Sequence, residues 1–207
     1  MRTAASLRRC GAQPFMNMPL RPRRVSGVWP PPTPDVQTKS LEGKLVEMVK
    51  RLNLLAGRSR DGNPVFEEVL VDPRGTGKYL LMSSPGLVLG VAAGDLIEVS
   101  SGGQATVLTR GGNLCIQIFR EAGTDAMTAQ AEQAAASLGG RLDGEGERVL
   151  VATIPVRLGF TKIERVIQDL VDKFPGAQWY YGNVYDPVDG ITPLNWWVQT
   201  ESDSKKN

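Results

Sequence analysis

Histidine is absent from this 207-residue sequence, and cysteine occurs only as Cys10 and Cys115. Without histidine the chain has no Ser–His or Cys–His nucleophile pair, no imidazole zinc site and no side chain that ordinarily titrates near neutral pH. Carboxylate, lysine and backbone chemistry remain open. The sequence therefore excludes several of the commonest catalytic and metal sites.

The two cysteines differ in their surroundings. Cys115 lies between Leu114 and Ile116 in an apolar run, whereas Cys10 lies in a segment with no hydrophobic period. A buried, reduced cysteine behaves as a small hydrophobic residue. We therefore predict a reduced Cys115 and a cytoplasmic location, because disulfides are rare in reducing compartments.

Three alternating carboxylates, Asp143, Glu145 and Glu147, are the strongest cluster of potential ligands. Carboxylate oxygens suit hard cations, but this spacing lacks the glycine and the terminal glutamate of a twelve-residue calcium loop. We interpret the cluster as a solvated loop between a helix and a strand, and as a contact for a basic protein partner. No metal is predicted.

The sequence Arg-Gly-Thr-Gly-Lys at residues 74–78 resembles the end of a phosphate-binding loop. A Walker loop needs a glycine five positions before Gly77 and a serine or threonine after Lys78. Asp72 and Tyr79 occupy those positions. We interpret the stretch as a hairpin tip, and no cofactor is predicted.

Aromatic residues concentrate late in the chain, at Trp179, Tyr180, Tyr181, Trp196 and Trp197. Alternate residues of a strand face opposite sides, so Trp179 and Tyr181 should point one way and Tyr180 the other. Core packing accounts for one of these faces. The other face, or an exposed Trp196 and Trp197, would suit a protein interface, where Trp and Tyr are enriched.

The net charge of +2 conceals an asymmetry between the first forty residues and the remainder. Seven Lys and Arg residues against Asp35 give that segment +6, which leaves −4 on the rest. Basic residues confined to one terminus give no electrostatic reason to expect nucleic-acid binding. No stretch approaches the roughly 18 apolar residues of a membrane span, so neither nucleic acid nor membrane is predicted as a partner.

Composition divides the chain into three parts. Residues 1–40 combine arginines with a proline run and show no hydrophobic period, which predicts a disordered basic tail, with a targeting segment as the alternative. Residues 41–190 are predicted to form a single α+β domain, and 191–207 a C-terminal tail. A chain of 22.4 kDa with 41% hydrophobic residues can build such a core.

The first half of the domain, about residues 50–120, is predicted to be rich in strands. Apolar residues from Leu41 to Leu52 recur at helical spacing, although 52–56 fits a strand equally well. Glycine pairs at 102–103 and 111–112 are predicted to close hairpins. The predicted strands, which suit a small curved antiparallel sheet or barrel, are 65–71, 78–82, 87–91, 96–99, 105–109 and 114–119.

The second half, about residues 113–185, alternates strands with helices. A helix is predicted over 124–138, with Thr124 as its N-cap and Gly139 beyond its end. A strand over 148–155, an amphipathic helix over 161–174 and a strand over 179–184 follow. With strand 114–119 they form a split β-α-β pattern with two helices, as in ferredoxin-like domains.

Several short motifs occur in an order that resembles a bacterial family, domain of unknown function 4265. The resemblance covers about residues 50–185 and implies a compact bacterial α+β domain without specifying an activity. The motifs that carry it are Asp61-Gly62-Asn63-Pro64, Glu67-Glu68, Gly77-Lys78-Tyr79-Leu80, Pro85 and Gly94-Asp95-Leu96-Ile97-Glu98-Val99.

These observations favour a soluble, non-enzymatic module that binds another protein, for example the immunity member of a bacterial toxin–immunity pair. The alternative is a small-molecule sensor or a carboxylate-dependent hydrolase, with a pocket between the β-rich half and the two helices. The predicted partner-binding residues are Asp143, Glu145, Glu147, Trp179, Tyr180, Tyr181, Trp196 and Trp197.

Overall fold

The computed structural model describes residues 21–22 and 49–198, which contain ten strands and two α-helices. The helices are α1 (Thr128–Ser137) and α2 (Phe160–Val171). The strands are β1 (Arg21–Pro22), β2 (Lys50–Arg58), β3 (Pro64–Gly75), β4 (Lys78–Leu81), β5 (Leu96–Val99), β6 (Ala105–Thr109), β7 (Asn113–Phe119), β8 (Arg141–Glu145), β9 (Val149–Pro155) and β10 (Gln178–Tyr181).

Strands β2 to β6 form one antiparallel sheet in chain order, which we call the meander sheet. The Leu55 N–H donates to the Gly103 carbonyl at 2.8 Å, which brings β2 close to the β5–β6 turn. Within the described residues no strand pairing joins β2 to β6. The curved antiparallel sheet predicted for this half is confirmed, and it is not a closed barrel.

The second sheet has the order β1-β8-β9-β7-β10, and we call it the helix-backed sheet. The chain order β7-α1-β8-β9-α2-β10 is the ferredoxin-like pattern, so the predicted α+β fold is confirmed. Leu114, Ile116 and Ile118 alternate along β7 and belong to the same apolar core as Ile163 and Ile167 of α2. This alternation is what a strand with one face against helices requires.

The segment predicted as an acidic loop contains strand β8, which the sequence analysis missed. Its pairing with β9 shifts register between Leu142 and Gly144, so Asp143 lies at a β-bulge. A bulge inserts an extra residue and breaks the two-residue alternation. The usual strand signal is therefore lost in this stretch.

The strand predicted over 87–91 is wrong. Residues 82–95 form an irregular segment that lies between the two sheets, and we call it the inter-sheet loop. Its apolar residues Val88 and Val91 pack into the core of the meander sheet. Many of its backbone groups bond to side chains of other elements, so burial does not require a strand ladder.

The hairpin predicted at the glycine pair 111–112 is also wrong, because β6 and β7 belong to different sheets. The chain crosses between the sheets at Gly111, where an added Cβ would overlap the backbone of Gly94. The glycine pair therefore permits a close backbone approach and not a hairpin.

The remaining boundaries differ less from prediction. Helix α1 begins at Thr128, and Thr124 is not its N-cap because the Thr124 hydroxyl donates to the Gly146 carbonyl at 2.7 Å. The strand alternative for 52–56 is confirmed by β2, which begins at Lys50, so the helix predicted from Leu41 to Leu52 is wrong at its C-terminal end. The remainder of that predicted helix, 41–48, lies outside the described residues. The predicted tail 1–40 also lies outside the described residues, apart from Arg21–Pro22.

Among the described helices, none has the length and apolar character needed to cross a bilayer.

Candidate functional site

The inter-sheet loop is held by three buried carboxylates, the first of which is Glu67 on β3. Its carboxylate accepts hydrogen bonds from the backbone N–H groups of Gly86, Leu87 and Val88 at 2.7, 2.8 and 3.0 Å. Burial raises the pKa of Glu67, and the three N–H donors oppose that rise. The side chain thus replaces the strand partner that the loop lacks.

Asp143 holds the start of the loop from the β8 bulge. Its Oδ2 accepts the Ser84 N–H at 2.7 Å and the Thr153 hydroxyl, and its Oδ1 pairs with Arg141 Nε at 2.6 Å. The side chain is only 3% exposed, and burial raises its pKa. The residue predicted to be solvated is therefore a buried link between the loop and the helix-backed sheet.

Asp95 is the third carboxylate and lies where the chain crosses between the sheets. It is fully buried and accepts the N–H groups of Ala92 at 3.0 Å and Gly111 at 2.8 Å. Arg110 Nη1 pairs with it at 3.1 Å and also donates to the Gly90 carbonyl at 2.6 Å. Burial raises the pKa of Asp95. This arrangement fixes the loop to the crossing.

Cys115 lies on β7 under the inter-sheet loop. Its side chain is fully buried, and its Sγ donates to the Pro85 carbonyl at 3.2 Å. Burial, followed by the charges of Glu67 and Asp143, raises the pKa of the thiol well above its usual range. The prediction of a buried Cys115 is confirmed, and its environment disfavours the reactive thiolate.

Little open space remains between these groups. A cleft beside Glu67, Ser84 and Asp143 has a volume of 20 Å³, which is room for about one water molecule. Residues 49–198 contain no group of three or more carboxylate or cysteine side chains arranged to hold a metal ion. What the arrangement does chemically is bind the backbone of the loop.

The aromatic residues of β10 divide as the strand period predicts. Trp179 and Tyr181 are buried on the helix side, where Trp179 Nε1 donates to Gln168 at 3.1 Å and the Tyr181 hydroxyl donates to Glu164 at 3.2 Å. Tyr180 faces the opposite side, is half-buried, and has its ring centroid 5.9 Å from that of Phe119. Two of these three predicted contact residues are therefore core residues.

Trp196 and Trp197 are half-buried against the helix-backed core. Trp196 Nε1 donates to the Asn183 carbonyl at 2.8 Å, and the Arg110 guanidinium lies 5.4 Å from the centroid of its ring. The Trp197 ring lies 5.1 Å from that of Phe160 in an edge-on arrangement. Both tryptophans therefore pack the segment after β10 onto the fold.

The acidic cluster does not form one surface. Glu145 is half-buried and accepts the Thr128 hydroxyl at 3.0 Å, so it faces α1. The side chain of Glu147 is 77% exposed and pairs with Arg148 at 3.8 Å. With Asp143 buried, only Glu147 of the three predicted residues presents most of its side chain to solvent.

A loop that sequence reasoning overlooked, residues 185–193, carries the most exposed large hydrophobic side chain among the described residues. Val188 is 93% exposed and Ile191 is 58% exposed. The available signal was Asp-Pro-Val-Asp-Gly at 186–190, which is rich in turn formers. We call this segment the 185–193 loop.

Two aspartates fold this loop back on itself. Asp186 Oδ1 accepts the Val188 N–H at 2.7 Å, and Asp189 Oδ1 accepts the Ile191 and Thr192 N–H groups at 2.8 Å. The Thr192 hydroxyl and N–H lower the pKa of Asp189. The loop is therefore ordered by its own hydrogen bonds while its aliphatic side chains face solvent.

The base of the 185–193 loop is joined to the rest of the fold. The Asp186 N–H donates to the Thr192 carbonyl at 2.8 Å, and an isolated bridge pairs Tyr185 with Pro193. Pro187 lies against Gly90 of the inter-sheet loop. The buried carboxylates thus support the surface on which the 185–193 loop rests.

Comparison with known proteins gives one family and one related fold. The model of the family described as domain of unknown function (DUF4265) matches residues 67–175, more than half of the chain. The search of curated proteins gives no match. A hypothetical protein from Neisseria gonorrhoeae, known from a crystal structure, is 14% identical over 65% of this chain and 94% of its own, with a TM-score of 0.50. That likeness supports the fold alone, whereas the family match shows that this chain belongs to the DUF4265 family.

Proposed function

We propose that this chain is a non-enzymatic protein-binding module whose main contact with its partner is the 185–193 loop. The observation that carries the proposal is the exposure of Val188 and Ile191 on a loop that Asp186 and Asp189 already hold in shape. Exposed aliphatic side chains on an ordered loop are what a protein interface buries.

The order of the loop has an energetic consequence for binding. Ordering a flexible loop at an interface costs about 0.5–1.5 kcal/mol for each immobilised side chain with many rotamers. In the 185–193 loop, hydrogen bonds within the free protein already supply most of that order. Val188 and Ile191 can then enter an apolar cleft of the partner with little further loss of entropy.

The buried carboxylates favour binding over the hydrolase alternative. Glu67, Asp95 and Asp143 each accept backbone N–H groups of the fold. A catalytic carboxylate must instead face a substrate. Their positions support a structural role for all three.

The partner class that suits this loop is an enzyme with an apolar cleft, which is consistent with the immunity member of a toxin–immunity pair. A pre-ordered loop can occupy such a cleft without rearrangement. The acidic Asp186 and Asp189, which flank Val188 on the loop, would favour a partner with a basic rim, because complementary charge speeds encounter.

Site-specific crosslinking in cells tests the proposal. A photo-crosslinking residue at position 188 should capture one defined protein, and the same residue at the exposed position 129 on α1 should not. Capture at both positions, or at neither, would count against the 185–193 loop as the contact surface.

Affinity measurements with the purified partner complete the test. Val188→Ser with Ile191→Ser should weaken binding by about 30-fold or more, the loss typical of a hot spot of about 2 kcal/mol. Val198→Ser is the matched control, because Val198 is 57% exposed and lies outside the loop. Equal affinities for the double variant and the control would contradict the proposal.

A further inference from the structure

The outer face of the meander sheet, which points away from its core, carries apolar side chains where polar ones are the rule. An antiparallel sheet with one face on the core usually presents polar residues on the other. Here Leu70, Leu80 and Leu96 alternate with core residues along their strands and are half-buried. Met82 and Leu108 beside them are 39% and 43% exposed. We call these five residues the outer band.

The strand register places the outer band residues side by side. Leu80 of β4 is directly opposite Leu96 of β5, and the Met82 N–H donates to the Leu70 carbonyl at 2.9 Å. Leu108 is the extra residue of a bulge where β6 passes Leu96. None of the five is among the side chains that form or pack against the apolar cores of the described residues. A contiguous apolar patch of this kind marks an interaction surface.

We propose that the outer band is a dimer interface, at which the meander sheets of two copies of this chain pack face to face. Two sheets packed in this way interdigitate their apolar side chains to form a shared core. A two-fold axis sets the outer band of one copy against the same band of the other. The dimer thereby removes from water the apolar side chains that a single copy leaves at its surface.

The charges next to the outer band favour a second copy over an unlike partner. They stand in pairs of opposite sign, so the border of the band has no net charge. The pairs are Arg51 with Glu68, Arg74 with Asp72, and Lys78 with Glu98, which is opposite it on β5. A border of one sign would repel its own copy and attract a partner of the other sign, whereas a balanced border can meet itself.

Asp72, directly opposite Leu80, gives a second reason to expect a cover over this face. It is 8% exposed, and its Oδ2 pairs with Arg74 Nη2 at 2.7 Å. Its Oδ1 is buried and accepts no hydrogen bond from the described residues. Buried polar atoms of folded proteins nearly always have a partner. The Arg74 side chain is 49% exposed, so the dimer would bring a second guanidinium to the face that holds this oxygen.

Sedimentation equilibrium of the full-length protein tests the dimer. At about 100 μM, a concentration that populates any dimer with a dissociation constant of about 10 μM or tighter, the wild type should have twice the chain mass of 22.4 kDa. The variant Met82→Glu/Leu108→Glu should sediment as a monomer at the same concentration, a weakening of at least about tenfold. The reason is that carboxylates buried in an interface without partners are strongly unfavourable.

A matched control separates this interface from the 185–193 loop. Val188→Glu/Ile191→Glu makes the same change of charge at two exposed aliphatic residues and should leave the dimer intact. Loss of the dimer in this control would place the contact on the loop and overturn the proposal. Failure of the loop to bind its partner would leave the dimer result unaffected.

Charge complementation guards against a variant that merely misfolds. Met82→Lys/Leu108→Lys alone should also be a monomer, and an equimolar mixture with the Met82→Glu/Leu108→Glu variant should regain a dimer, because opposite charges then face each other across the two bands. A monomeric wild type, a dimeric glutamate variant, or a mixture that stays monomeric would each overturn the proposal.

Discussion

At the scale of single residues, the buried carboxylates perform a task that backbone pairing usually performs. Glu67 alone satisfies three consecutive N–H groups of the inter-sheet loop. An irregular segment can be buried only when its backbone groups find partners. The identity of a few acidic side chains therefore decides whether this loop can lie between the sheets.

Replacing Glu67 with alanine should lower the free energy of unfolding by about 2–4 kcal/mol, because three buried N–H groups lose their acceptor. The neighbouring Glu68→Ala is the control. Glu68 is exposed and pairs on the surface with Arg51, so its loss should cost about 0.5 kcal/mol or less. Urea unfolding of both variants measures the difference, and similar midpoints would argue against the role given to Glu67.

Cys115 should resist thiol reagents in the native protein, because its side chain is fully buried and its thiol pKa is raised. Mass spectrometry of the peptide containing Cys115 can follow labelling with and without denaturant. Labelling should become rapid only when the chain unfolds. Fast labelling of the native protein would show that the inter-sheet loop opens readily.

Sequence reasoning succeeded for residues whose neighbours in the chain determine their environment. Cys115 sits in an apolar strand, so its burial could be predicted. Asp143 is buried because Ser84, 59 positions away, donates to it, and no local pattern records that partner. The 185–193 loop was overlooked for a different reason: its turn-forming residues are visible in the sequence, but the exposure of Val188 and Ile191 is not.

At the scale of elements, the crossing from β6 to β7 brings the backbone of Gly111 against that of Gly94 in the inter-sheet loop. The Gly111 backbone lies so close to Gly94 that no side chain fits between them. The Gly111 N–H also donates to Asp95. The relative position of the sheets therefore depends on a residue without a side chain.

Gly111→Ala should destabilise the protein by about 1–3 kcal/mol, as expected when backbone must move to relieve a clash. Gly102→Ala is the matched control, because a Cβ at Gly102 would meet nothing nearer than the Ser100 hydroxyl at 3.8 Å. Its unfolding free energy should stay within about 0.5 kcal/mol of the wild type. Comparable losses in the two variants would rule out a special role for the crossing.

Elements with a regular period could be predicted, and those without one could not. Helix α2 buries Ile163, Ile167, Leu170 and Val171 on one face, as its spacing indicated. Strand β8 contains a bulge and was missed, and residues 87–91 are apolar without forming a strand. Hydrophobic period reports burial, but it does not report which backbone partner a buried segment will use.

At the scale of the whole molecule, the carboxylates make stability depend on pH in an unusual direction. The pKa values of Glu67, Asp95 and Asp143 are raised in the folded protein, chiefly by burial. In the range between the ordinary and the raised values, the folded state binds more protons than the unfolded state. Stability then falls as pH rises through the raised pKa values.

We therefore expect the free energy of unfolding to be larger at pH 5 than at pH 7, as measured by urea denaturation at fixed ionic strength. The pKa of Asp189 is lowered in the folded protein, so its contribution to stability is present above its ordinary pKa near 4 and is lost only at lower pH. It does not affect the comparison. A protein that loses stability between pH 7 and pH 5 would contradict the dominance of burial.

The inter-sheet loop also bears on how the protein is made. The meander strands are complete when Thr109 has been synthesised, but Gly182, which accepts the Gly90 N–H, follows 73 residues later. At typical translation rates of 5–20 residues per second, that interval lasts about 4–15 s. During that interval, Glu67 can already bind one side of the inter-sheet loop, but the helix-backed sheet that covers its other side is not yet complete. We expect chaperones to matter most at this stage.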